Sequence, residues 1–204
     1  ISATACFATG SVSGSGYHVG GLVGNNYFSI TTSCFWDIQT SGQSGSFGGK
    51  RLTTAQMKTM SIFQNAGWAD KGWVMNDGID YPNLDWEDDG GVPIPLPQAI
   101  PLTGIGTAED PYLISTAEEF ALLSWYPDVL NKHIQLIANL DLNGITLYPI
   151  GDLGSFSGVF DGNGHTISNA VINQPGNNIV GLFGYVSSAG QIRNLCVESI
   201  NVAG

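Results

Sequence analysis

Residues 6–14 read CFATGSVSG, residues 34–42 read CFWDIQTSG, and residues 196–204 read CVESINVAG. In each string a glycine follows the cysteine by eight positions: Gly14, Gly42 and Gly204. A second block, GGLVG ending at Gly24, returns as VGLFG ending at Gly184. The triplet Ile167-Ser168-Asn169 returns as Ile192-Arg193-Asn194. Recurrence at an interval of about two dozen residues is the mark of stacked repeats, each burying its apolar side against its neighbours. The segments between the repeats are rich in glycine and asparagine, as at Asp161-Gly162-Asn163-Gly164, and separate short alternating apolar runs. Such turns also suit antiparallel hairpins. A sandwich, however, has no reason to return the same residue at the same offset. The expected fold is therefore all-β, a parallel β-helix (solenoid) with short capping helices, in which like residues stack about 4.8 Å apart.

The composition bounds the function. Of the 204 residues, 43% are hydrophobic and only 11% are charged, and 28 are glycine. Apolar content of that size excludes a disordered chain, and the low charge leaves a surface of neutral polar groups. With 17 acidic and 6 basic residues the net charge is −11. That charge repels phosphate backbones and supplies no basic face for an anionic membrane, so neither nucleic acid nor membrane insertion is expected. No apolar run is long enough to span a bilayer. Ile1 opens a strand-like segment without a signal-peptide pattern, and the chain reads as an excised piece of a longer protein. The three cysteines do not define a disulfide framework and form no zinc-ligand spacing. They read as small buried apolar residues, with a Cys6–Cys34 bridge as the minor alternative.

Four segments follow from the pass along the chain. Residues 1–48 are short β segments between glycine turns. In 49–86, LTTAQMK from Leu52 to Lys58 is a short helix with Thr53 or Thr54 as N-cap, followed by an aromatic-rich stretch. Residues 87–104 form an acidic, proline-rich linker. Residues 105–204 begin again, with a helix capped by Ser115 or Thr116 and running to about Leu123. Strands are expected at 134–142, 156–160, 166–172, 180–185 and 192–202.

Trp68, Trp73, Tyr81 and Trp86 are the candidate binding residues. As a set they suit a compact cap whose rings close the end of a strand stack; the alternative is a glycan-stacking platform. Asp141 in LDLNG and Asp161 in FDGNG, with His165 beside the second, are the candidates for acid–base chemistry, since glycosidic cleavage needs two carboxyls at a fixed separation. An aspartate in a glycine turn is more often a turn former. No catalytic or cofactor-binding motif is present. Calcium is a weaker option, with oxygens from Asp77 and Asp80 and from Asp85, Glu87, Asp88 and Asp89, but without the spacing of an EF-hand loop.

Several strings together resemble the GLUG-motif repeat proteins. They are ACFATGSVSGSGYHVGGLVGNN, SCFWDIQTSGQSGSFGGKRLTTAQMK, YPNLDW, GTAEDPYLISTAEEF, LDLNG, FSGVFDGNGHTISN and VGLFGYV. That family consists of bacterial and some archaeal surface or secreted proteins, often large and adhesin-like. The resemblance implies a right-handed β-solenoid, an extracellular or cell-surface location, and no shared catalytic motif. It also implies that the closing half of one module (1–48 with its cap, 49–86) precedes the opening half of the next (105–204). The expected function is a non-catalytic structural or adhesive module that self-associates end to end or continues into covalent neighbours. A carbohydrate-binding module and, behind it, a polysaccharide-cleaving enzyme are the alternatives.

Overall fold

The computed structural model describes residues 2–25, 30–87, 90–152, 154–174 and 180–203. The chain divides into two compact units, Ile1–Gln98 and Ala99–Gly204. The first holds β1 (Ser2–Thr4), β2 (Phe7–Ala8), β3 (Ile30–Thr32), β4 (Phe35–Asp37), α1 (Ile38–Ser41), β5 (Lys50–Leu52), α2 (Thr54–Met57), α3 (Met60–Asn65), β6 (Trp73–Met75), β7 (Asn83–Leu84) and β8 (Val92–Pro93). The second holds β9 (Tyr112–Ile114), α4 (Ala117–Leu122), β10 (His133–Leu136), β11 (Leu140–Asp141), β12 (Val159–Asp161), β13 (Thr166–Ser168), β14 (Val171–Asn173), β15 (Gln191–Arg193), β16 (Cys196–Glu198) and β17 (Asn201–Ala203).

One local device recurs. Five pairs of successive strands are joined by a two-residue corner: Ala5-Cys6, Ser33-Cys34, Asn169-Ala170, Asn194-Leu195 and Ser199-Ile200. The first residue of each corner has a φ between 52° and 57°, the left-handed region. One such residue between two extended segments redirects the chain sharply, and it costs a side-chain-bearing residue roughly 1 kcal/mol or more. Asparagine tolerates it best, and it stands at two of the five. The second corner residue is apolar in every case. Cys34 and Ala170 are buried, and Leu195 and Ile200 pack against the core of the second unit.

Corners stack because the strands on either side pair in parallel. Ala3 lies against Thr31 and Phe7 against Phe35 in the first unit. Ile167 lies against Val197 and Ile172 against Val202 in the second. The hydrogen bonds Phe35 N–H to the Cys6 carbonyl (2.9 Å) and Asn201 N–H to the Ala170 carbonyl (2.8 Å) tie one corner to the next. In the second unit Tyr112, Ile134, Phe160 and Ile192 form a further apolar row across β9, β10, β12 and β15.

These local ladders do not add up to a single all-β parallel β-helix, and that expectation is corrected. Among the described residues the strands lie in six small sheets, two to four strands each, within two separate units. The sheet β7-β6-β8 is antiparallel. The expected recurrence also fails in register: Ile192 pairs with Phe160, and Ile167 with Val197, so the two Ile-x-Asn triplets do not lie over each other. The intervals between paired strands are unequal because irregular segments of different length are inserted between them. The three cysteine strings are likewise not equivalent. Cys6 and Cys34 occupy matching corners, whereas Cys196 opens β16 opposite Thr166 and is exposed. Gly42 is the left-handed C-cap of α1, Gly14 is not left-handed, and Gly204 lies outside the described residues.

Other boundaries shift for stated reasons. The alternating run 192–202 is three strands, because Asn194 and Ser199 turn the chain while the alternation continues through them. The run 134–142 breaks between β10 and β11. Residues 180–185 carry a bridge, Ile150 to Phe183, without a strand. Residues 10–25 hold bends and no strand. There Gly21 sits directly against Trp36: a Cβ would fall 2.0 Å from Cε3 of that ring. Asn26 of the turn-forming string Gly24-Asn25-Asn26, residues 175–178 of the string QPGNN that starts at Gln174, and Ile1 lie outside the described residues. The helices form where the capping signals stand. Thr53 with Gln56, and Thr116 with Glu119, make complete capping boxes. In the 87–104 segment, β8 pairs with β6 and Ile94 is buried, so part of the proline-rich stretch is integral to the first unit.

Ser199 is exposed in its left-handed conformation, which separates backbone strain from packing. Ser199→Gly is expected to stabilise the chain by up to about 1 kcal/mol, and Ser199→Val to destabilise it by about 1–2 kcal/mol. Urea denaturation of the two variants checks this; equal midpoints would contradict the corner geometry.

Candidate functional site

Aromatic side chains gather in the first unit around β4. Phe35 and Trp36, on successive positions, point to opposite faces. Phe35 meets Phe63 of α3 edge-on at 5.3 Å and Trp68 at 5.9 Å. Trp68 in turn contacts Trp73 at 4.8 Å, and Phe7 packs on both of them. Tyr81 lies parallel to Phe7 at 6.4 Å, with the Lys58 ammonium 5.3 Å above its ring. Trp68 is fully buried, and its indole N–H donates to the Ser33 carbonyl at 2.8 Å. Of the four candidate binding residues, Trp68, Trp73 and Tyr81 therefore belong to one packed cluster. Trp86 lies apart on a 3-10 turn and is 73% exposed. The four rings present no common face to solvent.

Beside the cluster stands a buried carboxylate that the sequence reading did not single out. Asp37 ends β4 and caps α1. Its Oδ1 accepts the Gln39 and Thr40 amides at 2.8 and 3.1 Å, and its Oδ2 accepts the Thr54 hydroxyl at 2.7 Å and the Tyr81 hydroxyl at 2.8 Å. Burial pushes this carboxyl up. The hydrogen bonds from Thr54, Tyr81, Thr40 and Gln39 outweigh it and hold the pKa below the ordinary 3.8. Burial and the same carboxylate push the Tyr81 phenol up. Asp37 thus joins β4, α1, α2 and the aromatic segment through one side chain. The sequence signal was the Asp-Ile-Gln-Thr string itself, an N-cap followed by a short helical run.

The acidic candidates of the second unit perform one task twice. Asp141 Oδ1 accepts the Asn143 amide at 3.0 Å and the Asn169 side-chain amide at 2.9 Å. Asp161 Oδ1 accepts the Asn163 amide at 2.9 Å and the Asn194 side-chain amide at 3.0 Å. Each aspartate closes an Asp-x-Asn-Gly turn and receives the asparagine of a left-handed corner. The Ile-x-Asn recurrence in the sequence marks these two corner asparagines. The Asn169 amide lowers the Asp141 pKa, and the Asn194 amide, ahead of Arg193, lowers that of Asp161. Arg193 Nε lies 2.8 Å from Asp161 Oδ2, and the arginine side chain is 55% exposed, which keeps the energetic weight of the pair small. His165 Nδ1 lies 3.2 Å from Asn139 Oδ1, not from either aspartate. A general acid for glycoside cleavage needs a raised pKa; these carboxyls are shifted the other way. The turn of Asn163 and Gly164, with Asn194, Leu195 and Cys196, lines an open surface depression.

Three of the residues considered for calcium have protein partners. Asp77 Oδ1 accepts the Met60 amide at the start of α3, Asp80 Oδ2 accepts the Asn76 side chain, and Glu87 Oε2 accepts the Leu84 amide. Asp88 and Asp89 lie outside the described residues. Among the described residues no cluster of three or more His, Cys, Asp or Glu side chains is placed to hold a metal ion.

No family model matches the chain, and no solved structure matches it. Two curated proteins do. Halomucin of Haloquadratum walsbyi is 34% identical over 115 residues, covering 50% of this chain and 1% of its own length. A putative Gly-rich membrane protein of Evansella cellulosilytica is 41% identical over 109 residues, covering 50% of this chain and 13% of its own length. The chain thus matches a small part of each of these relatives. Among the described residues no helix is long and apolar enough to cross a membrane.

Asp37 generates two expectations. Asp37→Ala removes the acceptor of four buried or half-buried donors and is expected to cost on the order of 3 kcal/mol. Because the folded pKa lies below the unfolded value, the stabilisation by the ionised carboxylate is complete above pH 3.8 and is lost as the pH falls through the folded pKa. Denaturation midpoints measured from about pH 6 to about pH 2, the range across which Asp carboxyls titrate, check both. An Asp37→Ala chain with wild-type midpoints and the same acid limb would contradict the role.

Proposed function

We propose that this chain is a non-catalytic structural and adhesive module of an extracellular, surface-associated protein, working beside neighbouring segments or in head-to-tail assembly with its own kind. The observation that carries the reading is the use made of its carboxylates. Asp37, Asp141 and Asp161 are each held below the ordinary pKa by donors that join neighbouring strands or turns. Groups so engaged serve cohesion, not proton transfer. The low content of charge, the net charge of −11, and the likeness to a protein described as a Gly-rich membrane protein support a surface setting. Kinship with the GLUG-motif repeat proteins is part of the same proposal and rests on the quoted strings.

Assembly is supported by two edges. Ile192, Val197 and Val202, on β15, β16 and β17, are each 42–45% exposed, and among the described residues these strands have a partner on one side only. The spacing of β16, the corner Ser199-Ile200 and β17 repeats that of β1, the corner Ala5-Cys6 and β2. The β16–corner–β17 part of one edge therefore has the spacing of β1–corner–β2 at the other, which suits pairing between copies.

A second reading, glycan binding, is favoured by one observation: the 73% exposure of Trp86. It would be a single-ring contact instead of a four-ring platform.

Sedimentation over a concentration series tests the main reading. Self-association that Val197→Lys weakens at least tenfold, with no release of reducing ends from a polysaccharide panel, is expected. A chain that remains monomeric throughout would overturn head-to-tail assembly, and one that cleaves a polysaccharide would overturn the non-catalytic reading. Retention on a glycan that Trp86→Ala abolishes would favour the second reading.

A further inference from the structure

Cys6 and Cys34 are the second residues of two matching corners, and those corners belong to paired ladders. Phe7 lies against Phe35 immediately after them, and Thr4 against Thr32 shortly before. In-register neighbours in parallel strands have Cα atoms about 4.8 Å apart, inside the range that a disulfide spans. The thiols adopt like positions: Cys6 Sγ lies 3.4 Å from the Thr4 carbonyl, and Cys34 Sγ lies 3.3 Å from the Thr32 carbonyl. Cys34 Sγ also reaches across to the carbonyl of Ala3, 3.4 Å away in the other ladder. Burial pushes the Cys34 thiol up, and the neighbouring Cys6 thiol adds to the rise. Parallel Cβ vectors within a regular strand oppose the torsion of a disulfide. Both cysteines, however, lie outside their strands, each directly after a left-handed residue.

We propose that Cys6 and Cys34 are a modification site, a thiol pair that an external disulfide of the glutathione class oxidises to an intramolecular bridge between the two corners. Cys6 is the half-exposed partner and Cys34 the buried one, so exchange begins at Cys6. The Cys6 thiol loses its proton to solvent, and the thiolate attacks oxidised glutathione. A Cys6–glutathione mixed disulfide forms, and one glutathione thiolate leaves. The Cys34 thiolate, its proton also given to solvent, attacks the Cys6 sulfur. The Cys6–Cys34 bond forms, and the second glutathione leaves. Two protein thiols are oxidised, and one glutathione disulfide is reduced to two thiols. Cys196, opposite Thr166 in the other unit, has no cysteine in register and takes no part.

The test uses the full chain carrying Cys196→Ser, incubated with oxidised glutathione. The expected result is loss of both remaining thiols, a chain lighter by two hydrogens with no adduct, and a digest containing one cross-linked peptide pair that joins residues 6 and 34. The same treatment of Cys34→Ala should leave glutathione attached at Cys6, which marks the first step without requiring the second. An unmodified dithiol chain, a stable glutathione adduct at Cys6 with Cys34 still free, or dimers linked between chains would each overturn the proposal.

Discussion

A single backbone state organises this molecule. Residues between short strands turn the chain by entering the left-handed region, and the apolar residue that follows is buried or half-buried. Ala5, Ser33, Asn169, Asn194 and Ser199 all do this. The cost at each is repaid only when the next strand pairs with a neighbour, so corner and ladder are interdependent. Phe35 N–H on the Cys6 carbonyl and Asn201 N–H on the Ala170 carbonyl express that dependence directly. Short strands of two to four residues could not hold together on their own hydrogen bonds. They hold because corners align the apolar rows Tyr112–Ile134–Phe160–Ile192 and Leu140–Ile167–Val197.

Polar side chains reinforce the same joints. Asp141 and Asp161 each take a corner asparagine, and Asp37 gathers two helices and Tyr81 around the end of β4. These groups lie at junctions, and their pKa values are drawn down by hydrogen bonds. The aromatic residues follow the same division of labour. Trp68 is a core residue in contact with Phe7, Phe35, Phe63 and Trp73, while Trp86 alone of the four candidates meets solvent broadly.

Much of this is legible in the residues, and the failures have identifiable causes. Thr53-x-x-Gln56 and Thr116-x-x-Glu119 announced their helices, because capping boxes are local and need no tertiary partner. The Asp-x-Asn-Gly strings announced turns for the same reason. The repeats, by contrast, suggested one continuous winding. They record the reuse of a corner and of an aspartate–asparagine joint, and the segments between them differ in length, so register does not follow from recurrence. Alternation of apolar residues concealed the corners within 192–202, since a left-handed residue leaves the sequence pattern untouched. Asp37 escaped attention because its partners, Thr54 and Tyr81, are distant in the chain. The burial of Trp68 against the exposure of Trp86 depends on α3 packing over β4, which composition does not encode.

The interdependence of corner and ladder is tested most directly by amide hydrogen exchange at Phe35 and Asn201. Both N–H groups bond only across from one corner to the next, at 2.9 and 2.8 Å. The account predicts that both exchange as slowly as the amides inside the ladders, and open only when their unit unfolds. Exchange of either at the rate of an unprotected loop amide, with the ladders still protected, would contradict it.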